Sequence, residues 1–326
     1  MAGCTSVRPF AAGTPPPQPG MRIEVILPSP APSSGSEYRQ SSSEQLDAAP
    51  YTIAWMSDTQ YYCRDLPNIF FAMTRYLQEN REKLNLGYVV HTGDIVDTAS
   101  SEEQWAIAKR AMDGLLGIPH GVLAGNHDVG NAMDYRNFRK YFGETSFAQY
   151  SYYGGSFKDN RCHYDLITLG QTEFVFVYLG FQPAQQSMEW ANEVFARYPK
   201  RIGILCVHEY LDTDLTLLDI GKDLQEQVVK PNANVYMVLC GHRYTQDCVP
   251  VEFDDDGDGK ADRTVYQCIA DYQDAKEYGG NGYMRFISVE EAEGVLRFYS
   301  YSPILDDGRS PIPAVSREQI LPIPWK

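Results

Sequence analysis

Apolar residues recur along this chain in two rhythms. Short unbroken runs, each cut off by a polar residue or a glycine, alternate with stretches where apolar side chains return every three or four positions. Residues 51–56 form the first run, ended by Ser57-Asp58, and 86–90, 121–124, 202–207 and 235–240 repeat it. Runs of this kind predict strands buried on both faces, because alternation vanishes when neither face meets water. Between them, Ile69, Phe70, Met73, Tyr76 and Leu77 mark a helix over 68–83, and residues 103–116 read as a second. The resulting β-α-β-α-β order implies parallel neighbours with helices packed on the sheet.

The second half changes character. Residues 161–169 and 172–179 flank Gly170-Gln171 as a hairpin. Helices are expected at 187–198 and 221–230. From 249 the pattern alternates, giving strands at 249–253, 264–269, 283–289 and 295–301 that close the fold antiparallel. Residues 135–153 are aromatic-rich and irregular, and are expected to form a lid or rim. Residues 1–49 stand apart: Pro, Ser, Gly and Ala dominate, as in a mobile linker, with 22–27 the one strand-like segment. The expected organisation is a mostly disordered linker at 1–49 and one folded domain at 50–326.

Composition narrows the functional classes. The chain has 326 residues, 43% hydrophobic and 22% charged, with a net charge of −15. That is a soluble, globular balance. Its acidity argues against a nucleic-acid backbone or an anionic membrane surface as the main partner, and suits divalent cations. No apolar run approaches the roughly 20 residues of a membrane span. The first 20 residues lack the apolar core of a secretory signal. The expected location is therefore soluble: cytoplasmic, or exported with the signal absent from this sequence. Seven cysteines show no C-x-x-C spacing. Cys206 and Cys240 lie inside apolar runs as buried thiols, while Cys63, Cys162, Cys248 and Cys268 are open to pairing. Oligomeric state leaves no signal.

The chemistry stands where the buried runs stop. Asp58-Thr59-Gln60 follows the first run, Gly93-Asp94 the second, and Gly125-Asn126-His127-Asp128 the third; His208-Glu209 and Gly241-His242-Arg243-Tyr244 follow the runs at 202–207 and 235–240. Open α/β sheets gather ligands at the carboxyl ends of their strands, so these residues are expected to converge. Asp58, Asp94, Asn126, His208 and His242 offer two carboxylates, an amide oxygen and two imidazoles. Such a mixed set suits Mn, Fe, Zn or Co better than Ca or Mg. His91, His120 and His163 lie outside this pattern and read as structural, Asp97 as a turn or capping residue, and Glu209 as a partner to the site or a surface residue.

These five fragments, in this order and each at a strand end, resemble the signature of the calcineurin-like metallophosphoesterases: D-x-H, G-D, G-N-H-D/E, a lone H, then G-H-x-H. The likeness runs over about residues 50–300. It implies an α/β fold, a four-layer α-β-β-α sandwich of two mixed sheets flanked by helices. It implies a hydrolase of phosphomonoesters or phosphodiesters, working through a dinuclear centre whose bound hydroxide attacks phosphorus. Asp94 would bridge two divalent metals, Asp58 and Gln60 would hold the first, and Asn126, His208 and His242 the second. His127 would face the phosphate and protonate the leaving oxygen or stabilise its charge, with Asp128 orienting its ring. Two positions depart from the pattern. Gln60 and Tyr244 stand where the family has His, both on the first metal. Oxygen for nitrogen there hardens that site, favouring Mn or Mg over Zn. Arg243 is a candidate grip on a phosphate oxygen, against a surface salt bridge. The alternatives carried are a phosphodiesterase for a nucleotide, lipid headgroup or cell-wall phosphate, and a non-catalytic binding protein with a weakened first metal site.

One acidic stretch needs its own reading. Asp254, Asp256, Asp258, Gly259 and Asp262 imitate the start of a calcium loop, but Val265 stands where the bidentate Glu would be. The alternative is a solvated acidic turn between two strands.

Overall fold

A computed structural model of the protein describes residues 49–273, 278–308 and 318–326. The linker expected at 1–49, with its strand-like segment at 22–27, lies outside them except for its last residue. Two mixed sheets carry the fold. The first contains β1 (Tyr51–Met56), β2 (Leu86–His91), β3 (His120–Val122), β11 (Met284–Glu290), β12 (Val295–Tyr301) and β13 (Glu318–Pro322) in the order β13-β12-β11-β1-β2-β3. The second contains β4 (Tyr153–Phe157), β5 (Cys162–Leu169), β6 (Thr172–Leu179), β7 (Ile202–Val207), β8 (Val235–Cys240), β9 (Gln246–Phe253) and β10 (Arg263–Ala270) in the order β4-β5-β6-β7-β8-β10-β9. Strands β1, β2 and β3 run parallel, as do β6, β7, β8 and β10, and antiparallel strands flank both sets.

The apolar runs are continuous because both faces of the central strands are covered. Tyr51, Ile53 and Trp55 of β1, Tyr88 and Val90 of β2, Phe174, Phe176 and Tyr178 of β6, and Met237 and Leu239 of β8 meet in one core between the sheets. The alternate residues of the first sheet, such as Ala54, Met56 and Val89, pack under helices α1 (Gln60–Asp65), α2 (Pro67–Glu79), α3 (Glu102–Asp113), α4 (Arg136–Phe142) and α5 (Glu144–Phe147). Those of the second sheet, including Val175, Val177, Leu205 and Val238, pack under α6 (Gln185–Arg197), α7 (Asp219–Leu224) and the π turn Gln225–Val229 that prolongs it. Helix, sheet, sheet and helix make the four layers expected.

Two sequence readings change here. Residues 135–153 are not an irregular lid: Phe138, Phe142 and Phe147 of α4 and α5 are buried in the outer core, beside Trp105 of α3. Their close aromatic spacing is helical packing. The strand at 264–269 is also not simply antiparallel, since β10 pairs parallel with β8 on one side and antiparallel with β9 on the other. Cys248 and Cys268 face each other across β9 and β10 and form a disulfide, whereas Cys63, Cys162, Cys206 and Cys240 are buried free thiols.

Candidate metal centre

The parallel strands of both sheets release their last residues into one place. Asp58 follows β1, Asp94 follows β2, Asn126 and His127 follow β3, His208 follows β7, and His242 follows β8. The approach is close enough to exclude side chains at two glycines. A Cβ on Gly125 would collide with the Asp94 carboxylate, and one on Gly241 with Ser57 and Asp58. Asp58 (φ 54°), Asp94 (φ 52°) and His242 (φ 72°) all occupy the left-handed region that L-residues avoid. Backbone strain of this kind persists only where the surrounding fold imposes it.

Asp94 lies at the middle of the cluster. Its Oδ1 accepts from the His127 backbone N–H at 2.8 Å and lies 3.4 Å from His208 Nε2. Its Oδ2 accepts from Gln60 Nε2 at 3.5 Å. Ligand atoms of Asp94, His208 and His242 fall within 4.8 Å of one another. His208 places Nδ1 2.9 Å from the Thr92 carbonyl and Nε2 3.0 Å from Asn126 Oδ1. Both ring nitrogens thus face acceptors, which suits an imidazolium. Burial would pull this ring down, but the Asp94 and Asp58 carboxylates outweigh it and push it up to about 10. Burial would likewise raise Asp94, yet His208 holds that carboxyl below its ordinary range. His242 behaves oppositely: burial and then the His208 charge pull it down to about 4, leaving it neutral. Its Nε2 donates to Glu209 Oε1 at 3.1 Å, so Nδ1 keeps the lone pair.

The residues fit the binding of divalent cations. Asp58 Oδ2 accepts from the His242 N–H at 3.1 Å and from the Ser57 hydroxyl, but Asp58 Oδ1 is buried without a partner. Gln60 Oε1 is likewise buried and unpartnered. Buried polar atoms are almost always bonded, so two orphaned oxygens on residues that neighbour Asp94 are consistent with a cation held among them.

His127 and Asp128 divide their work differently from the sequence expectation. His127 Nδ1 lies 2.9 Å from the Asp97 carbonyl oxygen and 3.7 Å from Asp97 Oδ1. The ring borders a groove of about 420 Å³, lined also by Asp97, Thr98, Asn126, Gly130 and Asn131. Asp128 does not touch that ring. Its buried carboxylate accepts from the backbone N–H groups of Ile95, Val96 and Gly125 at 2.8–3.0 Å. It points inward beneath the turn and ties the loop after β2 to the loop after β3. The half-exposed His127 points outward.

Other expected residues sit further off. Tyr244 packs against the core between the sheets. Arg243 is exposed, 3.9 Å from Asp212. In the β9–β10 connection, Asp254, Asp256 and Asp262 come within 4.8 Å of one another, while Asp258 Oδ2 pairs with Lys260 Nζ at 3.1 Å. All four are exposed, and Asp254 and Asp262 also accept backbone N–H groups of the same turn.

His91 keeps the structural role read from its sequence position, while Asp271 and Gln273 escaped the sequence reading. His91 is buried beneath the site, 3.0 Å from Thr59 Oγ1, and its Nδ1 accepts from the Gly93 N–H at 3.2 Å, so it props two of the motif loops. Asp271, one residue beyond β10, is fully buried, and Gln273 contacts Gln60. The signal for Asp271 was present: an acidic residue at the end of an apolar run, the same punctuation as at Asp58.

The family model of the calcineurin-like phosphoesterases matches residues 51–245. Over 260 residues the chain is 45% identical to the uncharacterized protein YvnB of Bacillus subtilis (strain 168), covering 79% of this chain and 20% of that protein. The chain therefore spans about a fifth of the length of this relative. Among solved structures, purple acid phosphatase PPD1 from seeds of yellow lupin (Lupinus luteus) superposes with a TM-score of 0.54 at 10% identity, over 84% of this chain and 54% of that one. That likeness is one of fold.

Proposed function

This chain belongs to the calcineurin-like phosphoesterase family, and on that premise we propose that it hydrolyses phosphoesters with the help of two divalent cations. The observation that carries the reading is the pair of orphaned buried oxygens, Asp58 Oδ1 and Gln60 Oε1, beside a carboxylate and two imidazoles. Asp94, Asn126, His208 and His242 would hold one cation, and Asp58, Gln60 and Asp94 the other. Bound there, the cations would supply Lewis acidity and lower the pKa of water toward neutrality.

The chain's own groups do the rest. Asp94 reaches both sets of ligands. Glu209 and the Thr92 carbonyl each engage one ring nitrogen, fixing how His242 and His208 present the other. The Asp97 carbonyl takes Nδ1 of His127, which leaves Nε2 to meet the substrate at the groove. From there it donates to the leaving oxygen or stabilises its charge.

A second observation favours diesters over monoesters. Among the described residues, no Lys or Arg lines the groove at His127, although Arg64 pairs with Asp97 at its edge at 3.1 Å. A monoester dianion would gain from cationic neighbours beyond the metals, whereas a diester, with a single charge, depends on them less. The diester would be one of a nucleotide, a lipid headgroup or a cell-wall polymer. The test compares Mn-loaded protein on an aryl phosphate and an aryl phosphodiester. Turnover of the diester with the higher kcat/KM supports this reading, a preference for the monoester reverses it, and turnover of neither leaves the non-catalytic alternative standing.

A further inference from the structure

The end of β10 stands beside the first cation position, outside the stretch that carries the family motifs. Resting on the metal-dependent reading above, we propose that Gln273 supplies an oxygen ligand to this position through Oε1, and that Asp271 is the positioning residue that aims it.

The geometry starts from Asp271. Its buried carboxylate accepts the Gln273 backbone N–H at 2.8 Å through Oδ1 and the Gln273 side-chain amide at 3.0 Å through Oδ2. The Asp271 N–H is itself tied to the Thr245 carbonyl at 2.9 Å. These bonds turn Nε2 of Gln273 toward Asp271 and leave Oε1 for the other side, where it accepts from Gln60 Nε2. The same Gln60 nitrogen lies 3.5 Å from Asp94 Oδ2. The Gln60 amide N–H₂ group is thus held between an oxygen of Asp94 and an oxygen of Gln273. Both oxygens face the same N–H donor, and a divalent cation is a stronger partner for them.

The surroundings agree. Asp58 Oδ1 and Gln60 Oε1 are buried and unpartnered in the same region. Asp58, Asp94 and Asp271 are all buried, and among the described residues none of them forms an ion pair with Lys or Arg. The two ends of a Gln amide differ little in size, so half a turn of Gln60 presents Oε1 where Nε2 now stands. Tyr244, at the position where the family pattern has His, packs against the inter-sheet core. Asp58, Gln60, Asp94 and Gln273 then give the first position oxygen donors alone. Such a set prefers Mn or Mg, while the two imidazoles of the second position accept softer ions.

Mn²⁺ titration of metal-stripped protein, followed by the electron paramagnetic resonance signal of free Mn²⁺, tests this without reference to turnover. Wild type is expected to bind two ions. Gln273→Leu should weaken one of them by about 100-fold and leave the other, and Asp271→Asn should weaken the same ion by about tenfold. Gln273→Glu, which keeps an oxygen at the position, should retain both. His242→Ala should affect the other ion. If Gln273→Leu binds both ions as wild type does, the inference is overturned. If Gln273→Leu does not fold, loss of the first ion from folded Gln273→Glu overturns it equally. A wild type that binds fewer than two ions overturns the underlying metal reading instead.

Discussion

The carbonyl oxygen of Asp97 lies 2.9 Å from Nδ1 of His127, so a backbone atom in the loop after β2 sets the orientation of the ring at the groove. Replacing His127 with Ala should lower kcat by about 10²–10⁴-fold with a smaller change in KM, the range expected for a positioned proton donor. Asp97→Asn keeps the carbonyl and should cost much less, under about tenfold. Steady-state kinetics on an aryl phosphodiester reads both. Equal losses in the two variants would mean that the Asp97 side chain, and not its backbone, governs the ring.

Asp128 makes a different prediction. Removing its carboxylate in Asp128→Ala leaves the N–H groups of Ile95, Val96 and Gly125 buried without an acceptor. Each such group costs about 1–3 kcal/mol, so the variant should lose roughly 3 kcal/mol or more. The urea midpoint should fall accordingly, with metal binding weakened through the loosened loops. An unchanged midpoint would show that the loops do not depend on this clamp.

His163 sets a pH dependence. It is buried, stacks on Tyr178 with ring centroids 4.2 Å apart, and among the described residues finds no hydrogen-bond partner for either nitrogen. Burial, with His120 adding to it, pulls the imidazole down to about 3. Between about 3 and its ordinary value of 6.5 the unfolded chain binds this proton and the folded chain does not. His163 therefore contributes stability that is present above pH 6.5 and is lost as the pH falls toward 3. Asp165, 3.9 Å away and pushed well above its usual range by burial, works in the opposite sense, so the comparison must be differential. His163→Phe keeps the stack and removes the titration. Relative to wild type it should gain about 1.4 kcal/mol per pH unit below 6.5. Denaturant melts at pH 7, 6 and 5 measure this, and parallel curves for the two proteins would refute it.

The cross-strand disulfide closes a loop with a sequence separation of 20 between Cys248 and Cys268. Loop-closure entropy assigns such a link about 3 kcal/mol. Cys248→Ser/Cys268→Ser should lower stability by that order. Reduction of wild type should reproduce the loss, while the double variant should be indifferent to reductant.

Much of this was legible because one physical habit repeats. A strand buried on both faces reads as an apolar run, and the residue that breaks it is where the chain reaches the sheet edge. That is why Asp58, Asp94, Asn126, His208 and His242 could be placed together from their positions alone. Asp271 obeys the same habit and was missed, because residues 249–301 alternate and so suggest an antiparallel ending. The parallel pairing of β10 with β8 brings Asp271 to the site, and pairing partners do not show in a single strand's pattern. The exchange between Asp97 and Asp128 was hidden for another reason. Asp97 and Asp128 lie in different loops, and only the folded loops decide that the Asp128 carboxylate goes inward while the Asp97 carbonyl meets the His127 ring.

The centre straddles the seam between the sheets, and the order of the chain gives that a practical meaning. Asp58, Gln60, Asp94 and Asn126 all precede β4, while His208, His242, Asp271 and Gln273 all follow it. A cut between α5 and β4 would leave each fragment with part of the proposed coordination sphere and neither with a whole one. Because β11 and β12 return to pair beside β1, the later fragment also carries strands that the earlier one's sheet requires. Metal uptake by a mixture of the two pieces would then be a direct reporter of their reassembly, silent for either piece alone.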